Sequence, residues 1–227
     1  MTLPQISELP GLDCGLCGLP TCAEFARRLP LAPDLVKRCV HLAPQGQAPR
    51  AERPPALKVV GPGEAATPVS PSRWVDSLGR EFDFVLRHFP HEPGPREIIL
   101  PHNPLITREM EVVVGDVLIG RPLGMSCGCP VTHCGVATDV DRRTGVITWC
   151  VTGPLRPRAE SFKDLGYYIA EAYEGLVRES RCELRIGMRY FFQPERCMLQ
   201  WRHSGLVNYL SRCSGEIQLR LEGLWIG

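Results

Sequence analysis

The sequence predicts an α+β protein: a small helical unit at the N-terminus, a proline-rich linker, and a larger β-rich domain with one long helix. Three observations carry this reading. Residues 1–42 combine four cysteines with a short helical pattern. Residues 43–72 hold seven prolines and three glycines and have little to bury, as a semi-rigid linker does. Residues 73–227 contain several short runs of alternating apolar and polar residues and one stretch of helical spacing.

Taken in order, Pro20 and Thr21 open a helix at Cys22, with Phe25, Ala26 and Leu29 on one side. A second short helix over Pro33 to Lys37 leads to Cys39. In the larger domain, Phe82, Phe84 and Leu86 alternate as in a half-buried strand, and Val112 to Ile119 reads as another. Gly135 to Asp139 and Val146 to Val151 flank DRRTG and predict a hairpin. The long helix is placed over Phe162 to Glu179. There Leu165, Tyr168, Ile169, Ala172, Tyr173 and Leu176 form one apolar stripe, and Ser161 with Asp164 makes a capping box. Three further runs follow, around Leu184 to Phe192, Cys197 to Trp201 and Ile217 to Leu221. They predict an antiparallel meander packed against that helix.

The 227 residues carry 26 basic and 25 acidic side chains, a net charge of +1 with no long run of one sign. Nucleic-acid and membrane-surface binding need clustered Lys and Arg, so neither class is expected. No stretch approaches the ~20 apolar residues of a membrane helix, and MTLPQISELPG has neither the basic nor the apolar region of a leader. A cytoplasmic location is the expectation. In that reducing compartment eleven cysteines read as metal ligands before disulfides.

Cys14, Cys17, Cys22 and Cys39 have the spacing C-x2-C-x4-C-x16-C. Four thiolates meet the need of a 4Fe-4S cluster, one soft anionic ligand per iron. Gly15 and Gly18 beside the ligands let backbone N–H groups approach without an intervening side chain. An all-thiolate zinc site from the same four residues is the competing reading.

The run DCGLCGLPTCAEFARRL, with its fourth cysteine about seventeen positions on, resembles the small 4Fe-4S domain of corrinoid iron–sulfur proteins and of the B subunit of Rnf electron-transport complexes. The resemblance covers about residues 6 to 44. It implies that Cys14, Cys17, Cys22 and Cys39 are the cluster ligands, and that a corrinoid or one-carbon enzyme partner is conceivable. Val40 stands where these families often have Pro, and their larger domains have no counterpart in the remaining sequence.

Cys127, Cys129, Cys134 and Cys150 form a second group, C-x-C-x4-C-x15-C. In the DRRTG hairpin, Val136 would pair roughly opposite Cys150 and bring Cys134 near it, since paired strands lie ~4.8 Å apart. A second iron–sulfur cluster, a zinc site, reactive thiols and plain buried cysteines all remain open, and His133 could replace one ligand. Cys182, Cys197 and Cys213 are expected in the core.

The leading functional expectation is electron transfer with a redox partner protein in an oxygen-sensitive setting. A cluster-dependent enzyme or accessory subunit stands beside it, whose mark would be a pocket with polar groups beside Cys127 to Cys134. A metal-stabilised interaction module without turnover is the third. No catalytic residue is assigned from the sequence.

Overall fold

The structure is a computed structural model describing residues 8–42, 74–124, 128–153, 156–213 and 215–226. The expected linker, 43–72, lies outside the described residues, as does Cys127.

The N-terminal segment folds as expected. Helix α1, Cys22–Arg28, is capped by Thr21, whose hydroxyl accepts from the Glu24 N–H at 3.1 Å. A 3-10 helix, Pro33–Arg38, follows, with Pro at its start. Leu19, Phe25, Leu29 and Cys39 bury against one another in a small core of their own.

The larger part is built from nine strands: β1 (Phe84–Leu86), β2 (Arg96–Pro101), β3 (Val117–Pro122), β4 (His133–Val140), β5 (Ile147–Thr152), β6 (Lys163–Val177), β7 (Arg189–Pro194), β8 (His203–Cys213) and β9 (Glu216–Ile226). Two short helices, α2 (Ile106–Glu109) and α3 (Arg156–Ala159), punctuate them. The order β6-β2-β5-β4-β3 closes on itself, because β3 and β6 also pair in parallel. The result is a five-stranded barrel. From β6 a second run continues outward as β9-β8-β7-β1.

The expected α+β class with a long helix over Phe162 to Glu179 is therefore corrected: the described residues are mostly β with only short helices, and Lys163–Val177 form the fifteen-residue strand β6. The misleading stripe has a physical source. Tyr168, Ala170 and Ala172 are buried in alternation, and then Tyr173, Gly175 and Val177 are buried one step out of phase. Register shifts between Ile98 and Ile99 opposite β6, and between Ile119 and Arg121 of β3, mark bulges at each slip. A period of two with two slips leaves apolar residues three and four apart. Gly175 fits a strand better than a helix. A Cβ there would stand 2.2 Å from the Arg87 carbonyl oxygen, where the chain after β1 crosses β6.

Other expectations shift less. The meander β7-β8-β9 is antiparallel as expected, but it extends the sheet from strand β6, which stands where the helix was expected. Leu184 to Met188 precedes β7 rather than belonging to it, with Ile186 and Met188 exposed. Cys197 to Trp201 is a turn region before β8. The hairpin β4–β5 forms with Val136 opposite Cys150, the register anticipated from the DRRTG turn.

Inside the barrel sits a buried polar group of four. Glu97, fully buried, accepts from Trp149 Nε1 at 2.9 Å and from the Tyr168 hydroxyl at 3.2 Å. His133 Nδ1 lies 3.3 Å from the same carboxylate and 2.7 Å from the Tyr168 oxygen. Burial is the largest single influence and opposes a charged imidazole, but the Glu97 carboxylate and the Cys129 sulfur together outweigh it and raise His133 to about 10. Around this group pack Ile99, Leu118, Ala137 and Ile147. Burying each of the Ile and Leu side chains contributes ~1.5–3 kcal/mol.

At the other end of the sheet, the buried carboxylate of Asp76 accepts from Leu78 N, Arg80 N, Arg80 Nε and Arg202 N at 2.8–3.0 Å. Burial works against its charge, yet these donors hold its pKa at about 2.

Two outcomes follow from these buried charges. Glu97→Ala strands the His133 charge and two donors, and should lower unfolding free energy by ~3–5 kcal/mol in urea titrations. Asp76→Asn should cost ~2 kcal/mol at neutral pH. The native Asp76 pKa lies below that of an unfolded Asp, so its contribution is complete above about pH 4. It fades as pH falls toward 2, where wild type and Asp76→Asn should become equally stable.

Candidate functional site

Each of the four N-terminal cysteines reaches its place by a separate local device. Asp13, Gly15 and Gly18 all adopt positive φ, and Gly18 N–H donates to the Gly15 carbonyl at 2.9 Å, coiling the chain between Cys14 and Cys17. The Asp13 carboxylate accepts from Cys22 N–H at 2.6 Å and ties the start of α1 back to this coil. The 3-10 helix then delivers Cys39 as the residue that caps its C-terminal end. Together Cys14, Cys17, Cys22 and Cys39 line one partly open cavity, walled by Leu19, Phe25 and the coil backbone.

The donor set consists of thiols. A four-iron group asks for one thiolate per iron, so the residues present fit an iron–sulfur cluster. Among the described residues no three His, Cys, Asp or Glu side chains are grouped as a single metal ion would need. The four cysteines differ in access: Cys14 is exposed, Cys17 and Cys22 are half-buried, and Cys39 is buried. His41 Nε2 stands 3.9 Å from Cys14 Sγ.

This segment is fastened to the barrel through α2 and the residues after it. Arg38 pairs with Glu109 at 2.5 Å and Lys37 with Glu111 at 3.2 Å. Gly18 faces Leu105 so closely that a Cβ would lie 3.3 Å from its side chain. Between them runs Arg108, 3% exposed. Its guanidinium donates to the Leu16 carbonyl at 2.5 Å, and to the Arg142 and Arg143 carbonyls of the β4–β5 turn at 3.0 and 3.1 Å. Its Nε is buried without a partner. Burial pushes Arg108 down in pKa, while Cys17, Cys39 and Cys14 pull it back up. Nothing in the sequence marks Arg108, because its role depends on chain contacts made 92 positions away.

The second cysteine group is divided by the pleat of the sheet. His133 and Trp149 point into the barrel, so their neighbours Cys134 and Cys150 take the outer face. Cys150 is pushed up to about 12 by burial and by Glu92, to which its thiol is 3.6 Å distant; burial also raises Cys134. Cys129 joins the inner core and hydrogen-bonds His133. The structure thus brings Cys134 toward Cys150 but leaves Cys129 on the opposite side.

Cys129 has other company. With His133, His203, Cys197 and Arg196 it lines a small, partly open pocket at the barrel mouth, otherwise walled by apolar residues such as Val151, Tyr173 and Leu199. His203 Nδ1 lies 3.1 Å from the Trp201 carbonyl, and burial lowers its pKa to about 4, so the ring is neutral. Cys182 is exposed, against the expectation of a core position, and Cys197 is half-buried. Among the described residues no helix is long and apolar enough to cross a membrane.

Comparison with known proteins bears on both parts of the chain. Residues 9–41 match the family model described as "Putative Fe-S cluster". An uncharacterized protein of Methanocaldococcus jannaschii is 31% identical over 204 residues, covering 88% of this chain and 83% of its own length. No solved structure matches. The shared length takes in the barrel as well as the cysteine segment. The chain therefore belongs to the same family as the M. jannaschii protein, and it carries a small iron–sulfur domain at residues 9–41.

Proposed function

We propose that this protein is an electron-transfer module whose cofactor is one 4Fe-4S cluster on Cys14, Cys17, Cys22 and Cys39. The carrying observation is that these four thiols line a single cavity within the segment matched by the iron–sulfur family model. When bound, such a cluster takes up and releases single electrons. The chain supplies the rest. Cys39 and Phe25 close the inner side of the cavity, while the exposed Cys14 leaves one edge open to a redox partner protein. An edge in contact with solvent also makes the site oxygen-sensitive.

Anaerobic purification with counts of iron, acid-labile sulfide and zinc tests this reading. About four irons and four sulfides per chain are expected, lost in Cys14→Ser and Cys22→Ser and retained in Cys134→Ser and Cys150→Ser. Zinc without sulfide would overturn it. Loss of about half the iron in Cys134→Ser would instead make the barrel a second cluster site.

A second reading, that the barrel binds a small substrate or cofactor beside the cluster module, is favoured by the cavity at the barrel mouth. Its wall is mainly apolar with a few convergent polar groups, Cys129, His133, His203 and Arg196 among them, as ligand sites are built. Iodoacetamide treatment of the cluster-loaded chain, followed by peptide mass mapping, checks whether small molecules enter. Cys129 should be labelled ahead of Cys134 and Cys150, and Leu199→Trp, which fills the cavity, should slow it. Unlabelled Cys129 would remove this reading.

A further inference from the structure

We propose that Arg108 is a positioning residue for the iron–sulfur group: its guanidinium, fixed between the β4–β5 turn and the cysteine coil, is a built-in countercharge that raises the group's reduction potential. The inference rests on the four-cysteine reading above and adds a role for a residue of the barrel side.

The argument begins with the cost of burying a charge. A guanidinium taken out of water is strongly unfavourable unless an anion or a full set of acceptors receives it. Arg108 is 3% exposed, and its hydrogen bonds go to three backbone carbonyls. Among the described residues no carboxylate is paired with it, its Nε has no acceptor, and Arg142 nearby adds a like charge. The neighbouring groups that favour its charge are the sulfurs of Cys17, Cys39 and Cys14. Left as neutral thiols, those sulfurs would give the cation no counterpart. As thiolates bound to iron they complete the balance.

The placement is also rigid. One end of the guanidinium holds the Leu16 carbonyl, between Cys14 and Cys17, and the other holds two carbonyls of a barrel turn. The charge can neither swing into solvent nor follow a mobile side chain. Uptake of one electron makes the thiolate-bound group one unit more negative, and a fixed cation in a site of low dielectric favours that state. Removing the cation should make reduction harder. Arg27, exposed on α1 and paired with Glu24, serves as a control because water screens its charge.

The test is a dithionite titration with redox mediators on the full chain, anaerobically reconstituted, followed by absorbance and EPR. Arg108→Gln should hold its iron and sulfide but shift to a more negative potential, whereas Arg108→Lys and Arg27→Gln stay near wild type. Equal potentials in wild type and Arg108→Gln, with full iron and sulfide in both, would overturn the role of Arg108 and leave the cluster reading intact. Wild-type chain that takes up no iron and sulfide would overturn the cluster reading itself. Should Arg108→Gln fail to hold iron, Arg108→Lys decides. Retention at near wild-type potential supports the countercharge, and loss there too means that Arg108 only props the coil through its carbonyl bonds.

Discussion

Strand β6 is the constraint on which the rest of the fold depends, because it belongs at once to the closed barrel and to the run of strands that extends from it. Its first residues pair in parallel with β3, its middle with β2, and its last six with β9. Parallel pairing with β3 closes the barrel and removes the open edges that the β6 and β3 ends would otherwise present. Antiparallel pairing with β9 launches the outer sheet. The bulges that obscure its alternation are what let one strand turn from one partner to the next. With the barrel closed, Glu97, Trp149, Tyr168 and His133 meet inside it, drawn from four different strands.

Legibility in the sequence followed the range of the interactions. The cysteine segment was readable because its determinants are local: fixed spacing, glycines at positive φ, Thr21 as a cap and Pro33 at a helix start. The β4–β5 hairpin was readable for the same reason, since a short turn sets the register. β6 carries a helix-like pattern because its phase slips arise from partners far along the chain. Two glycines inside the proposed helix, Gly166 and Gly175, were the available warning, each costing ~1 kcal/mol in a helix interior. Arg108 and Glu97 were silent. A charged residue in a sequence does not announce that folding will bury it.

The two halves of the chain meet at α2, a single helical turn that does more than connect strands. Glu109 and Glu111 pair with the basic residues of the 3-10 helix, and Arg108 reaches the cysteine coil. Exposed ion pairs of this kind contribute little individually, about 0–1 kcal/mol each. The buried guanidinium is different in kind, since displacing it would strand a charge. The orientation of the cysteine segment is thus tied to a correctly closed barrel, whose β4–β5 turn supplies two of the three carbonyls.

The outward thiols of the hairpin bear on cofactor assembly. Iron binds thiolate, not thiol. Cys150, pressed against the Glu92 carboxylate, and Cys134, desolvated on the same face, keep their protons at neutral pH. A protein rich in cysteine runs the hazard of capturing metal at the wrong sulfurs. Here the folded barrel holds Cys134 and Cys150 as thiols, which disfavours metal binding at those two sulfurs.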